Sequence, residues 1–300
     1  MPAMQLSKSI QRYPAESAIA LLLAILYGPL LIHWIDGWLN KSVSIEHEYF
    51  SYAIIGFPYA GMAAWQARSQ WRKLPDQLHL LGIAFIAIAL VFYTSALTNL
   101  INLSLPILLA GLALALKGLP GIRLMGMPLL FVLLATPTDI PYLVAPYLMP
   151  LQRVIAIIVG TVLSMFGMAV TVDQSYILVS DRIVEVAPYC AGLKMLMTCL
   201  YVALLLLHWT GNLRHRWKVI TMLTGAVLIS FVGNLLRNAL LTFFHGTDQT
   251  AWFDWLHESW GGDVFSALLL LAVITLMQQL DRLAATYQTR SVKTDAPVNF

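Results

Sequence analysis

The stretch from Ala18 to Ile32 carries no charge, and it is the first of a series of apolar runs that continue almost to the C-terminus. Runs lie near 17–35, 50–66, 78–97, 100–116, 124–145, 151–171, 190–209, 219–243 and 264–280. Segments of about 18 or more apolar residues are long enough, as helices, to cross roughly 30 Å of hydrocarbon. The composition allows little else. Hydrophobic residues make up 59% of the 300 and charged residues 11%, against about 25% charged in a soluble domain. A chain so poor in charge has no means of covering a water-facing surface. The sequence therefore predicts an all-α, polytopic transmembrane helical bundle. One integral-membrane domain is expected over residues 1–280, with the polar stretch 281–300 as a loosely ordered cytoplasmic tail.

Lysine and arginine in short connections mark the cytoplasmic side. Lys8 and Arg12 precede the first run, which reads as a retained signal anchor with the N-terminus inside. Arg68, Arg72 and Lys73, then Lys117 and Arg123, then Arg214, Arg216 and Lys218, then Arg282, Arg290 and Lys293 mark further inside segments. Three apolar runs separate the inside connections at 117–123 and 210–218, although the number of crossings between them must be even. Segment 124–145 holds Pro128, Pro137 and Pro141. Proline interrupts helical hydrogen bonding, and irregular backbone at membrane depth survives only when packed in protein or lining a cavity. A re-entrant or interfacial 124–145 resolves the parity and leaves about eight crossings, with segments 172–189 and 244–263 outside.

Three stretches at that outer side carry reactive groups. In "VAPYCAGLKML", Cys190 opens a long apolar run. A helix N-terminus favours an anion, and Lys194 is one turn further on. Both favour the thiolate, the nucleophilic form. Gly192 is expected to leave the sulfur open to a substrate backbone. Cys199, with no polar flank, reads as a small core residue. Nine residues of helix put the two sulfurs about 13 Å apart in rise, too far for a disulfide, so Cys190 is expected to stay a free thiol.

In "FVGNLLRNALLTFFHG", Asn234, Arg237 and Asn238 form a polar stripe at i, i+3 and i+4 on an apolar helix,. An arginine there is expensive and by default functional. It would hold a carbonyl, steady an oxyanion or act on the thiol, or else snorkel toward a structural carboxylate such as Glu185. In "TAWFDWLHESWGGDVF", His257 lies among Trp252, Trp255 and Trp260, before Gly261 and Gly262. Imidazole is the usual acid or base near neutral pH. His245 is a rival from the same region, and the residues alone leave the choice open. Cysteine, arginine and histidine at one membrane face match covalent acyl transfer. No paired Cys/His spacing for zinc, no phosphate loop and no basic nucleic-acid patch is present, so neither metal nor cofactor nor nucleic acid is expected. A transporter or a structural membrane subunit is the alternative, the former requiring a carboxylate or ion site beside Arg237 in spans that hold almost no Asp or Glu.

Five segments together resemble the exosortase/archaeosortase family of membrane-embedded thiol transpeptidases. They are "EHEYFSYAIIGFPYAGMAAWQAR", "GMPLLFVLLATPTDIPYLVAPYLMPLQ", "VAPYCAGLKML", "VGNLLRNALL" and "HESWGGDVF". Ala191 stands where the family commonly has serine, and Lys194 where it commonly has arginine; "CAGLKM" is similar to the cyanobacterial branch. The resemblance implies Cys190 as nucleophile, Arg237 as electrostatic partner and His257, rather than His245, as acid/base. It also implies a location in the inner membrane with the site at the outer face. The substrates it implies are exported proteins ending in a Pro-Glu-Pro-type motif, one transmembrane helix and a basic end, whose tail is cleaved and whose acyl group passes to an acceptor.

Overall fold

The computed structural model describes residues 14–39, 49–257 and 259–294. The sequence expectations for Lys8 and Arg12 fall outside these residues. The chain divides into two units, Met1–Thr138 and Asp139–Phe300.

The first unit is helical. Helix α1 spans Pro14–Leu39, α2 Ala53–Lys73, α3 Leu80–Tyr93 and α4 Thr98–Ala135. Several polar side chains on these apolar helices are tied off internally, as a medium without water favours. Trp34 Nε1 donates to Asn102 Oδ1 at 2.9 Å, Asn102 Nδ2 donates to the Pro137 carbonyl at 3.0 Å, and Tyr27 and Ser104 share a bond at 2.9 Å. Gly82 lies against the backbone of Ala115, so that α3 and α4 approach closely. Helix α4 breaks once, at Gly118, whose φ of 60° is left-handed. Just before that break Lys117 Nζ reaches Asp76 at 2.6 Å and the Leu74 carbonyl at 2.8 Å. The basic connections 67–77 and 117–123 thus meet at one end of this unit, in line with their expected common side.

Segment 124–145 is broken, as its prolines signal, at one place. Residues up to Ala135 complete α4 despite Pro128, and Ile140–Val144 form a new short helix, α5. The break is confined to 136–139, because Pro137 and Pro141 deny the backbone donors that would carry the helix through.

In the second unit α5 leads through a 3₁₀ turn, Ala145–Leu148, into α6, Met149–Met165. A three-stranded antiparallel sheet follows: β1 Val170–Asp173, β2 Tyr176–Val179 and β3 Arg182–Glu185, in the order β1-β2-β3. The sequence reading treated this interval only as an outer connection. Next come a 3₁₀ turn, Pro188–Ala191, and helices α7 Leu193–Trp209, α8 Arg216–Gly246, α9 Thr250–His257 and α10 Gly261–Thr294. The stretch 281–294 therefore continues α10.

Two cores hold this unit. Ile155, Val159 and Leu163 of α6 pack with Ile177 and Val179 of β2, with Val186, Ala187 and Cys190, and against Phe231, Leu235 and Phe243 of α8. Cys199, Leu207, Met222, Val273 and Met277 form the second, between α7, α8 and α10. Cys199 is a buried core residue and both thiols are free, as expected. At the end remote from Cys190, Lys218 Nζ meets Asp281 at 2.6 Å and Asn212 Oδ1 at 2.8 Å. Among the described residues, six helical stretches are long and apolar enough to cross a membrane: Ala18–Leu39, Thr98–Ala135, Ile140–Met165, Pro188–Trp209, Arg216–Gly246 and Gly261–Thr286.

Candidate active site

Cys190 sits in the 3₁₀ turn Pro188–Ala191, ahead of α7. Gly192, at φ 89°, takes the chain out of the helical path before α7 begins at Leu193. Lys194 lies beyond that break, so the one-turn helical relation expected between it and Cys190 does not exist. Nor is Gly192 open space. A Cβ there would stand 2.7 Å from Asn234 Cγ, so the glycine admits the Asn234 amide and supplies a left-handed conformation that other residues rarely adopt.

The turn is held by α8. Asn234 Nδ2 and Asn238 Nδ2 both donate to the Cys190 carbonyl, at 3.0 and 3.1 Å, and Asn238 Nδ2 also reaches the Asn234 carbonyl at 2.9 Å. Both asparagines are buried. Their spacing of four residues puts them on one face of α8, aimed at one carbonyl. The sequence identified the stripe but not its object.

Gln152 of α6 is a further fixing point that sequence reasoning did not single out. It is 2% exposed, and its Nε2 donates to the Val186 carbonyl at 2.9 Å, just before the cysteine turn. The available signal was an amide beside Arg153 at the start of a mostly apolar helix.

A cavity of about 250 Å³ opens beside Cys190. Its wall includes Glu185, Cys190, Asn238, His245, Phe253 and His257. The structure thus brings Cys190 and His257 to one cavity, and His245 to the same place. Phe253 stands between the imidazoles: its ring stacks on His257 at 5.2 Å and 11°, one turn along α9, and meets His245 at 5.4 Å and 53°. The end of α8 that carries His245 is tied to the sheet by Arg182, which donates to the His245 carbonyl and pairs with Asp248.

Arg237 is not on the cavity wall. Helix α8 runs on to Gly246, about 14 Å beyond Arg237,. Among the described residues Arg237 forms no ion pair, and its buried Nε has no hydrogen-bond partner. Glu185 is exposed on β3 and is therefore not the structural carboxylate considered for Arg237. Among the described residues no group of His, Cys, Asp and Glu is arranged to hold a metal ion.

A family model describing the transmembrane exosortase matches residues 38–274. The chain belongs to the transmembrane exosortase family. The matched span includes all of the residues just described in this exosortase. Membership makes it a multi-pass membrane protein with a transpeptidase-type function toward proteins that carry sorting signals. No curated protein and no solved structure matches the chain.

Proposed function

We propose that this exosortase is a cysteine transpeptidase in which Cys190 is the nucleophile, His257 the acid/base and Arg237 the electrostatic partner. The observation that carries the reading is that Cys190 and His257 line one cavity although 67 positions separate them in the sequence. Arg237 fits the third role because it adjoins Asn238 on the helix that holds the cysteine turn, and its buried Nε–H, without a partner, is a donor in reserve for a developing negative charge,.

The chemistry is that of a thioester acyl-enzyme. The Cys190 thiolate attacks the scissile carbonyl and forms a C–S bond. The tetrahedral oxyanion collapses, the C–N bond breaks, and protonated His257 gives its proton to the departing amine. An acceptor amine, or water, then attacks the thioester, loses a proton to His257, and frees the sulfur. Asn234, Asn238 and Gly192 act by fixing the turn that carries the sulfur, and Gln152 by fixing the strand exit ahead of it.

The substrates are exported proteins ending in a Pro-Glu-Pro-type motif, a transmembrane helix and a basic end, and the site faces the outer side of the inner membrane. Helix geometry supports that level. About 29 Å of α8 separates Lys218 from Arg237, close to the roughly 30 Å of hydrocarbon in a bilayer. With Lys218 at the cytoplasmic boundary, Arg237 stands at the outer one. The test is co-expression of a secreted reporter bearing such a tail with wild type and with Cys190→Ala. Loss of tail cleavage in the variant, at equal membrane insertion, is the expected result; cleavage that persists overturns the nucleophile.

A further inference from the structure

Three consecutive residues of β3, Ile183, Val184 and Glu185, line the cavity that holds Cys190. Alternate side chains of a strand point to opposite faces of a sheet. A cavity lying over one face would therefore meet Ile183 and Glu185 or Val184, but not all three. One that meets all three runs along the strand's edge, and β3 is an edge strand.

The register shows which main-chain groups that edge presents. The Val186 N–H bonds the Ser175 carbonyl at 2.8 Å, in register with the pairs Val184↔Ile177 and Arg182↔Val179. Hydrogen-bonded and open positions alternate along an antiparallel strand. Arg182 and Val184 thus spend their main-chain groups on β2 and Val186 its N–H on Ser175, while those of Ile183 and Glu185 point away from the sheet. Among the described residues no strand pairs with that side of β3. Exposed edges invite pairing by another chain, and most proteins cover or bend them. Here the open edge and the sulfur line the same cavity.

Resting on the reading of Cys190 as nucleophile, we propose that the substrate segment next to the scissile bond binds as an added strand on the free edge of β3, through the main-chain groups of Ile183 and Glu185. Strand addition supplies orientation from main-chain bonds, so it holds an extended peptide through its carbonyls and the N–H groups of its non-proline residues and leads its carbonyl toward Cys190. Glu185 then belongs to the recognition surface, and the sheet is the guide that aligns a tethered tail.

The test measures alkylation of Cys190 in the full-length, detergent-solubilised protein by acetyl-Ala-Val-Ala-Val chloromethyl ketone, whose carbon forms a thioether as chloride leaves. Each rate is divided by that of iodoacetamide, which reports the thiol itself. N-methyl groups are placed on one peptide amide or on its neighbour. A paired strand offers alternate amides to its partner, so one placement should slow alkylation about tenfold and the other leave it nearly unchanged. Ile183→Pro, which edge positions tolerate because the lost N–H faces outward, should slow the unmodified peptide by a similar factor. Methylation that acts alike at both amides, or at neither, overturns the edge pairing. A Cys190 that reacts with neither reagent overturns the nucleophile assignment instead, and the edge pairing falls with it.

Discussion

Gly192→Ala tests how the cysteine turn is built. Two separable costs attach to it. At φ 89° an alanine meets the left-handed penalty of about 1–2 kcal/mol. Its Cβ would also stand 2.7 Å from Asn234 Cγ and 2.8 Å from Nδ2. Contact distances near 3.5 Å require the amide to retreat by roughly 0.7 Å. That carries the 3.0 Å bond from Asn234 to the Cys190 carbonyl out of hydrogen-bonding range, at a cost of about 1 kcal/mol. The total is about 2–3 kcal/mol. In an Asn234→Ala background the amide is already gone, and Gly192→Ala should cost only the backbone penalty of about 1–2 kcal/mol. Denaturant unfolding of the four proteins in one detergent measures this coupling, about 1 kcal/mol. An equal cost of Gly192→Ala in both backgrounds would refute the close packing of Asn234 as the reason for glycine.

Further outcomes follow from the same geometry. His257→Ala should slow tail cleavage by at least about 100-fold, the usual contribution of a positioned acid/base, whereas His245→Ala should slow it less than about tenfold; comparing the two cleavage rates decides between the imidazoles. Gln152→Leu leaves the Val186 carbonyl buried without its donor and should destabilise the protein by about 1–3 kcal/mol, read from unfolding in detergent. Asp281→Ala leaves the buried Lys218 ammonium with Asn212 alone. Because Asp281 is itself 41% exposed, the expected loss is about 1–2 kcal/mol, below that of a fully buried pair, and cleavage by the remaining folded protein should be unchanged.

The helical part of the fold was legible because hydrocarbon imposes a length and an apolar character on every crossing. The sheet was not. Its strands, "VTVD", "YILV" and "RIVE", have four residues each, and their turns carry Gln174, Ser180 and Asp181 at positive φ. Hairpin turns of this kind normally advertise themselves by Asn-Gly or Asp-Gly, and none occurs here. Segment 124–145 was legible in part: its prolines signal a break, which falls at residues 136–139, while Pro128 sits within a continuing helix.

At the site, residue types were readable and their arrangement was not. Cys190, His257 and the polar stripe of α8 stand out against apolar neighbours. That two asparagines converge on the Cys190 carbonyl, that Gly192 separates Lys194 from the thiol, and that His245 shares the cavity all depend on contacts distant in sequence. The family resemblance named His257 on motif position; the cavity by itself admits both histidines.

Peptide mapping of the protein isolated with a tail-bearing reporter, by mass spectrometry before and after hydroxylamine, tests the acyl-enzyme most directly. A hydroxylamine-labile adduct on Cys190, carrying the reporter's acyl portion and absent from Cys190→Ala, is the predicted result. An adduct on a different side chain, or tail release that continues when position 190 is alanine, would contradict thioester catalysis at this sulfur.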